Sequence, residues 1–311
     1  MSVTVVGSIA FDAVKTPFGE RERMLGGAAT HFALAASFFD EIRAVGPVGE
    51  DFDDAAFEVL RTRGTNTDDV EQVAGGKTFF WKGEYGWDLN SRETLDTQLN
   101  VFEHFEPKLS QASKDSEILF LANIVPALQA QVREQATGAK WVALDSMNLW
   151  IDIARDDLRN VIGMVDCLIL NDAEVRQLVA KPNLVSAARE LLTWGPSAVV
   201  AKQGEYGAVL VTADGFFSLP AYPLESVVDP TGAGDTFAGG FVGYVAAHRG
   251  EPVTHDLLCR AMAYGTALAS YNVEEFGTDR VARLTGEEIA ARVSELQTIT
   301  AFQDAPVALR A

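Results

Sequence analysis

The stretch that decides the fold of this chain is Val227-Val228-Asp229-Pro230-Thr231-Gly232-Ala233-Gly234-Asp235-Thr236-Phe237-Ala238-Gly239-Gly240. It is typical of a strand end followed by a glycine loop and the first turn of a helix. Small residues in the loop let backbone N–H groups point together, and a helix that begins there adds the positive end of its dipole. The stretch therefore predicts an anion-binding loop.

Asp235 stands where the predicted anion meets the helix. A carboxylate is by itself a poor phosphate ligand, because like charges repel. It can instead act as a base that takes a proton from a hydroxyl attacking the phosphate. The loop therefore predicts phosphoryl transfer, with Asp235 as the general base.

Composition and charge limit the classes of protein to which the chain can belong. Its 311 residues, of which 48% are hydrophobic, suffice for one large α/β domain or two smaller ones. The formal net charge of −19 argues against a nucleic acid or an anionic membrane as partner, because both carry negative charge. No signal-peptide pattern opens the chain, and no apolar run approaches the roughly 20 residues that a membrane helix needs. We therefore expect a cytoplasmic enzyme.

The N-terminal residues predict a second group of ligand contacts. A strand over 3–7 places Asp12 just beyond a strand end, where it could hold substrate hydroxyls or simply cap a turn. Residues 13–25 are polar and predict irregular structure. Gly26-Gly27 then opens an apolar helix over 28–39 and allows close approach of the backbone to a ligand. His31 would lie on the first turns of that helix, where a lone histidine is more often a packed or capping residue than a catalytic one.

Residues 77–101 have a different composition, with aromatic residues concentrated between turn residues. This pattern predicts short antiparallel strands. Such an insertion would serve as a lid over a ligand or as a subunit interface, and either role explains tryptophans that an exposed edge sheet would not favour. Gly76-Lys77-Thr78 resembles the end of a P-loop, but Glu71 stands where that motif needs its first glycine, which excludes it.

The remainder of the chain alternates between short apolar runs and helical periodicity. This alternation predicts a mainly parallel sheet covered by helices on both faces. The predicted strands lie near 42–46, 117–122, 140–144, 165–170, 198–201 and 208–211. The predicted helices lie near 52–63, 126–137, 151–162, 185–194, 236–248, 257–271 and 285–296.

Polar residues follow two of these strands, at the edge of the sheet where α/β proteins bind ligands. Asn171 and Glu174 could share a helix face toward a hydrated Mg²⁺, although acidic residues are also common in a first helical turn. The segment Lys202–Gly207 fits a hairpin turn equally well as a nucleotide contact.

These residues together resemble the ribokinase-like, or PfkB, family of carbohydrate and nucleoside kinases over nearly the whole chain. Residues 229–237 resemble the C-terminal signature of the family, and Gly26-Gly27 with its helix resembles the N-terminal one. The resemblance implies a three-layer αβα core with a mainly parallel sheet and a small β lid. The implied core comprises 1–12, 26–76 and 105–311, and the implied lid comprises 13–25 and 77–104.

The resemblance also implies roles for individual residues at the site of transfer. Asp235 would be the catalytic base, and the substrate would be a small molecule with a free hydroxyl. The backbone amides of Gly232, Ala233 and Gly234 would form the anion hole, and Asp12, Gly26, Gly27 and His31 would contact the substrate.

ATP and Mg²⁺ are the cofactors that the resemblance implies. Asn171 and Glu174 match the Asn-x-x-Glu element that places Mg²⁺ and phosphate, with Glu174 acting through water. Lys202, Gly204 and Gly207 fall where the family lines its nucleotide site. Some members bind a monovalent cation such as K⁺ near the equivalents of Asp229 and Thr231, and some form homodimers through the lid.

Two departures from the family pattern leave the substrate open. His31 stands where the family usually has asparagine, and 145–150 replaces a frequent Asp-Pro-Asn-x-Arg element. We expect an ATP-dependent kinase acting on a small sugar, with a nucleoside kinase or a non-catalytic sugar- or nucleoside-binding sensor as alternatives. A dinucleotide-dependent oxidoreductase is disfavoured, because Phe237 stands where its third glycine is needed.

Overall fold

The computed structural model describes residues 2–302, and short runs of β-branched and other apolar residues form most of its strands. The strands are β1 (Val3–Val6), β2 (Ala10–Thr16), β3 (Gly19–Gly26), β4 (Ile42–Gly49), β5 (Asn66–Val73), β6 (Phe79–Tyr85), β7 (Arg92–Gln98), β8 (Ile118–Leu121), β9 (Trp141–Leu144), β10 (Cys167–Asn171), β11 (Ala198–Lys202), β12 (Ala208–Thr212) and β13 (Phe216–Leu219).

Segments with apolar residues at helical spacing form the helices, and several begin at a side-chain cap. The α-helices are α1 (Ala28–Ala36), α2 (Asp54–Thr62), α3 (Gln111–Lys114), α4 (Pro126–Gln135), α5 (Asn148–Ile153), α6 (Arg155–Ile162), α7 (Asp172–Val179), α8 (Leu184–Leu192), α9 (Ala233–Ala247), α10 (His255–Asn272), α11 (Asp279–Ala282) and α12 (Gly286–Thr300). Short 3₁₀ helices cover Asn100–His104 and Gly204–Tyr206. Among the described residues, no helix is both long and apolar enough to cross a membrane.

The larger sheet has nine strands in the order β13-β12-β11-β10-β9-β8-β1-β4-β5. The strands from β11 to β5 are parallel, and β12 and β13 add an antiparallel edge. Strands such as β1, β8 and β9 are buried along their whole length, as expected for a parallel sheet covered on both faces. The predicted mainly parallel sheet is confirmed.

Two apolar clusters lie on opposite faces of this sheet and make the fold three layers deep. Alternate strand residues pack against α1, α9 and α10 on one face, where the Phe32 and Phe120 rings stack with centroids 4.2 Å apart. The other strand residues pack against α4, α6, α7 and α8. The predicted αβα core is therefore confirmed.

The smaller sheet has the strand order β3-β2-β6-β7. Its neighbouring strands are antiparallel except for β2 and β6, which run parallel. The prediction that 13–25 is irregular was wrong, because these residues form most of the β2–β3 hairpin. Its outer strand carries the charged run 20–23 and therefore shows no apolar alternation.

Asp12 also differs from its prediction, since it lies inside β2 of the smaller sheet rather than beyond the end of a core strand. The chain leaves β1 at Val6 and has already joined the second sheet at Ala10. The division into core and lid ranges stays a prediction; the strands of the second sheet span 10–26 and 79–98. Met1 and residues 303–311, which that division assigns to the core, lie outside the described residues.

The predicted helix over 151–162 is also divided in two. Ala154 adopts φ −140° and ψ 37°, which ends α5 and lets α6 begin in a new direction. The glycine-bearing helix α9 packs between α1 and α10, so closely that a Cβ at Gly239 would lie 2.4 Å from the carbonyl oxygen of Phe32. The close packing predicted from its glycines is thus confirmed.

Candidate active site

The anion-binding loop is the turn that starts α9. Gly232 is the N-cap residue, with φ 73° and ψ 0°, a left-handed conformation that suits glycine. The first N–H groups of a helix lack intrahelical partners and point outward along the positive end of its dipole. The N–H of Ala233 already donates to Pro230 O at 3.2 Å, so the predicted anion hole would rest chiefly on Gly232 and Gly234.

Asp235 lies in the first turn of α9, beside these N–H groups. Burial raises the pKa of its carboxyl group above the ordinary value, and the positive charges of Lys202 and Arg92 oppose this effect. A carboxylate with a raised pKa is a stronger base than an exposed one. The geometry therefore suits Asp235 to accept a proton.

Lys202, at the end of β11, brings positive charge to the same loop. Its Nζ lies 3.0 Å from Asp145 Oδ2 and 3.1 Å from the point that a Cβ on Gly234 would occupy. Burial lowers the pKa of Lys202, but Asp145, Asp235 and Glu174 outweigh burial and raise it overall. Lys202 is therefore a fixed cation at the anion loop.

Two further carboxylates extend this cluster along the sheet edge. Burial raises the pKa of Asp145 to about 6, with Lys202 opposing and Asp235 adding to the shift. Burial also raises the pKa of Glu174 to about 7, and the nearby Asp145 adds to it. Since each carboxylate raises the pKa of a neighbour, added positive charge at this place would stabilise them all.

Asn171 and Glu174 form a capping box at the start of α7. The N–H of Glu174 donates to Asn171 Oδ1 at 2.8 Å, and the N–H of Asn171 donates to Glu174 Oε2 at 2.9 Å. Their common face is thus explained by capping, and the backbone of Asn148 also donates to the Glu174 carboxylate. Among the described residues, no group of three or more His, Cys, Asp and Glu side chains could hold a metal ion alone. The two carboxylates Glu174 and Asp145 fit a hydrated Mg²⁺ that would take its other ligands from water and phosphate.

Asp12 approaches the loop from β2 of the smaller sheet. A Cβ at Gly26 would lie 2.0 Å from Asp12 Oδ2, so the missing side chain makes room for this carboxylate. Gly27 adopts φ 96° and precedes α1. Burial raises the pKa of Asp12 to about 7, and the charges of Asp229 and Asp235 add to it. The structure thus places three of the predicted substrate contacts, Asp12, Gly26 and Gly27, together.

His31 lies beneath the loop and is only 2% exposed. Its ring covers Gly232, where a Cβ would lie 2.4 Å from three ring atoms. His31 Nδ1 lies 3.1 Å from Oδ1 of Asn272, a buried residue that the sequence analysis missed. Burial lowers the pKa of His31, while Asp229 and Asn272 oppose this effect.

Asp229 and Thr231, the predicted monovalent-cation residues, already have partners. Asp229 is fully buried, and its two oxygens accept the N–H groups of Thr231 (2.9 Å) and Gly277 (3.0 Å). The carbonyl of Thr231 accepts a hydrogen bond from Asn272 Nδ2 at 2.7 Å. A cation here would have to share oxygens that are already hydrogen-bonded.

A cavity of about 490 Å³ opens beside the loop, a volume typical of small-molecule sites. Its polar end includes Lys202 and Gly234, and its apolar walls come from α9, α10 and the segment 221–224. The predicted nucleotide contacts Lys202, Gly204 and Gly207 all line this cavity, whereas Asn171 and Glu174 do not.

The smaller sheet touches the core at both ends of the site. Thr231 Oγ1 donates to Tyr85 OH at 3.2 Å, and Asn90 Nδ2 donates to Glu205 Oε1 at 3.0 Å across the cavity mouth. Arg92 is paired with Tyr85 across the strands, and its charge lowers the pKa of Asp12 and Asp235 against the larger effect of burial. An arginine on an exposed strand carries no sequence signal that could have identified it.

Comparisons with known proteins agree with this geometry. The family model described as pfkB family carbohydrate kinase matches residues 2–283. A cytidine kinase of Thermococcus kodakarensis is 30% identical over 263 residues, which cover 81% of this chain and 91% of that protein. A nucleoside kinase of Methanothermobacter thermautotrophicus is 26% identical over 309 residues, with 91% and 93% of the chains covered.

Solved structures show the same fold. The Burkholderia thailandensis nucleoside kinase in complex with ADP-inosine has a TM-score of 0.79 at 20% identity and covers 99% of both chains. The Methanocaldococcus jannaschii nucleoside kinase, an archaeal member of the ribokinase family, has a TM-score of 0.77 at 21% identity and covers 94% of this chain and 98% of that one. The chain therefore belongs to the PfkB family of carbohydrate kinases.

Proposed function

We propose that this protein transfers the γ-phosphoryl group of ATP to a hydroxyl of a small nucleoside or sugar. One observation carries the proposal: Asp235, in the first turn of α9, interacts electrostatically both with the Asp12 carboxylate and with Lys202, which lines the cavity. An acceptor hydroxyl and a phosphate can therefore meet at one base. ATP and its hydroxyl-bearing acceptors are metabolites of the cytoplasm, where we place the reaction.

Positioning and charge neutralisation carry most of the proposed catalysis. Asp12 and the Gly26-Gly27 backbone orient the acceptor, and Asp235 takes the proton from its attacking hydroxyl. Lys202 and the N–H groups of Gly232 and Gly234 stabilise charge on the phosphoryl group in transfer. Glu174, beside Asp145, would hold Mg²⁺ through water, and the ion would neutralise phosphate charge.

A nucleoside is the substrate class that we favour, although the sequence alone favoured a sugar. Relatives of this chain include a cytidine kinase and nucleoside kinases, as well as a ribokinase of Lactococcus lactis. Trp81 pairs with Asp12 across β6 and β2, and its ring lies over Gly83, where a Cβ would be 2.2 Å away. A ribose held by Asp12 would bring its base toward this half-buried aromatic ring.

A coupled assay of ADP release over nucleosides, sugars and sugar phosphates with Mg²⁺ tests the proposal. The same assay with and without K⁺ decides whether activity needs a monovalent cation at Asp229 and Thr231. Binding of an acceptor without any ADP release would instead support a non-catalytic sensor.

The Asp235→Asn substitution tests the assigned base directly. Loss of general-base catalysis typically costs a factor of about 10²–10⁴, so kcat should fall by that amount with nearly unchanged ATP affinity. Asp256→Asn is a matched control, since Asp256 is also in the first turn of a helix, but that helix, α10, begins at the Thr254 cap and not at the glycine loop. Turnover near that of the wild type in Asp235→Asn would disprove the assignment.

A homodimer through the smaller sheet is a separate proposal. Its edge strand β7 is exposed along its whole length, and Leu95 and Leu99 are large exposed apolar residues. Unpaired edge strands associate readily with a second copy. Light scattering measures the molar mass of the wild type and of a Leu95→Lys variant, and we expect a dimer and a monomer, respectively. A monomeric wild type would refute the homodimer.

A further inference from the structure

Asn272 is the last residue of α10, and its side chain is fully buried beneath the anion-binding loop. Its Nδ2 donates to Thr231 O at 2.7 Å. Its Oδ1 accepts from Thr236 Oγ1 at 3.0 Å and lies 3.1 Å from His31 Nδ1. One amide thus joins the residue before Gly232, the first turns of α9, and α1.

The chemistry of these partners fixes the orientation of the amide. A carbonyl oxygen can only accept, so the group facing Thr231 O must be the NH₂ of Asn272. The oxygen then faces His31, and Nδ1 of the imidazole must carry the proton that it donates. In the neutral ring the other nitrogen, Nε2, is then an acceptor with a free lone pair.

Nε2 of His31 has no hydrogen-bond partner within residues 2–302, although it is buried. Buried polar atoms are rarely left without a partner in folded proteins, so Nε2 requires a partner from outside the chain, such as a ligand or an ordered water. The imidazole also lies against Gly232, one of the two residues whose N–H groups face the predicted anion. A substrate whose hydroxyl group donates a hydrogen bond to Nε2 would therefore meet the phosphoryl group at the same turn.

We propose that Asn272 is a positioning residue for phosphoryl transfer: it holds the Thr231 carbonyl and fixes His31 in the Nδ1–H tautomer. His31 Nε2 thereby accepts a hydrogen bond from a hydroxyl of the acceptor. The proposal rests on the proposed function for its kinetic part only. The tautomer is a property of the ligand-free protein.

Nitrogen-15 NMR of the imidazoles in ligand-free protein tests the first step. The chain has four histidines, and His31→Asn identifies the His31 signals by their loss. At pH 8 we expect a protonated Nδ1 and an unprotonated Nε2 in the wild type. His255→Phe is the control, because His255 makes a similar contact to Thr212 Oγ1 (2.9 Å) outside the site. A wild-type His31 that carries its proton on Nε2 overturns the proposal.

Kinetics of Asn272→Asp test the second step. The carboxylate keeps an acceptor for His31 and Thr236 but removes the donor to Thr231 O, so the loop should shift while the tautomer is retained. We expect kcat to fall about 10-fold or more with little change in the KM for ATP. Wild-type kcat in a folded Asn272→Asp protein overturns the positioning role.

His31→Phe removes Nε2 together with the Nδ1–H that donates to Asn272, while a ring still covers Gly232. We expect the KM for the hydroxyl substrate to rise about 10-fold, with a smaller change in kcat. An unchanged KM overturns the contact with the acceptor. If the wild type phosphorylates no acceptor at all, the proposed function fails, whereas the NMR result still decides the tautomer.

Discussion

Replacement of Gly232 by alanine is the substitution whose cost the structure defines most directly. Gly232 has φ 73°, and an added Cβ would lie 2.4 Å from Nδ1, Cε1 and Nε2 of His31. Gly64 provides a matched control, since it has φ 79° and no atom within 4 Å of its Cβ position. The two substitutions share the backbone cost and differ in the ring contact.

The shared cost of a left-handed alanine is about 1–2 kcal/mol. At Gly232 the ring would also have to withdraw by about 1 Å to reach an ordinary contact distance, and it is buried on its other side. Overpacking of this kind costs about 1–3 kcal/mol, and breaking the His31–Asn272 bond leaves buried polar atoms unpaired at about 1–3 kcal/mol more. We therefore expect Gly232→Ala to lose at least about 3 kcal/mol.

Thermal unfolding of ligand-free protein measures both variants. In a chain of this size about 1 kcal/mol corresponds to about 2 °C, so Gly64→Ala should lower Tm by about 2–4 °C and Gly232→Ala by about 6 °C or more. Introducing Gly232→Ala into a His31→Ala background removes the obstructing ring, and its cost should fall to that of Gly64→Ala. Equal losses for the two single variants would refute the argument that the ring contact restricts this position.

Two further predictions concern buried charge in the ligand-free protein. The folded-state pKa of Asp12, about 7, lies above the ordinary 3.8, so the stability that this group contributes is complete below pH 3.8 and is lost as pH rises through 7. Asp12→Asn should therefore be more stable than the wild type at pH 8, by up to about 4 kcal/mol, and should lose that advantage near pH 4. Urea unfolding at both pH values measures the two free energies of unfolding. A difference between variant and wild type that is the same at both pH values would contradict the prediction. Lys202→Met leaves Asp145 without its cation and should lower the free energy of unfolding by about 3 kcal/mol at pH 8. Adding Asp145→Asn should restore most of this loss. A double variant that is no more stable than Lys202→Met in urea unfolding would contradict the pairing.

Much of the core could be predicted from the sequence, because buried parallel strands and amphipathic helices leave strong periodic signals. Strands β8 to β12 lie within one or two residues of their predicted ranges. The α9 loop was also predictable, since glycines in this spacing have few uses other than a tight turn and close packing.

The smaller sheet was harder to predict because its strands face solvent. The charged residues of β3 gave no apolar alternation, so residues 13–25 were expected to be irregular and the strand β2 that contains Asp12 was not recognised. Packing across the fold was not predictable at all: Asn272 reaches Thr231 and His31 from positions distant in sequence. A buried asparagine at the end of the apolar helix α10 was nevertheless a signal, because buried amides require partners.

The distribution of charge around the loop favours an uncharged acceptor. Lys202 and the α9 N-terminus gather positive charge on the cavity side, where phosphates would lie. On the opposite side Asp12, Asp229 and Asp235 interact closely enough for the latter two to raise the pKa of Asp12. A phosphorylated acceptor would add negative charge beside these carboxylates, whereas hydroxyl groups can donate hydrogen bonds to them. Arg92 of the smaller sheet lowers the pKa of Asp12 and Asp235, but burial raises both pKa values by more. We therefore propose that the site holds hydroxyls on one side of Asp235 and phosphate on the other, which would make its acceptor a nucleoside or an unphosphorylated sugar.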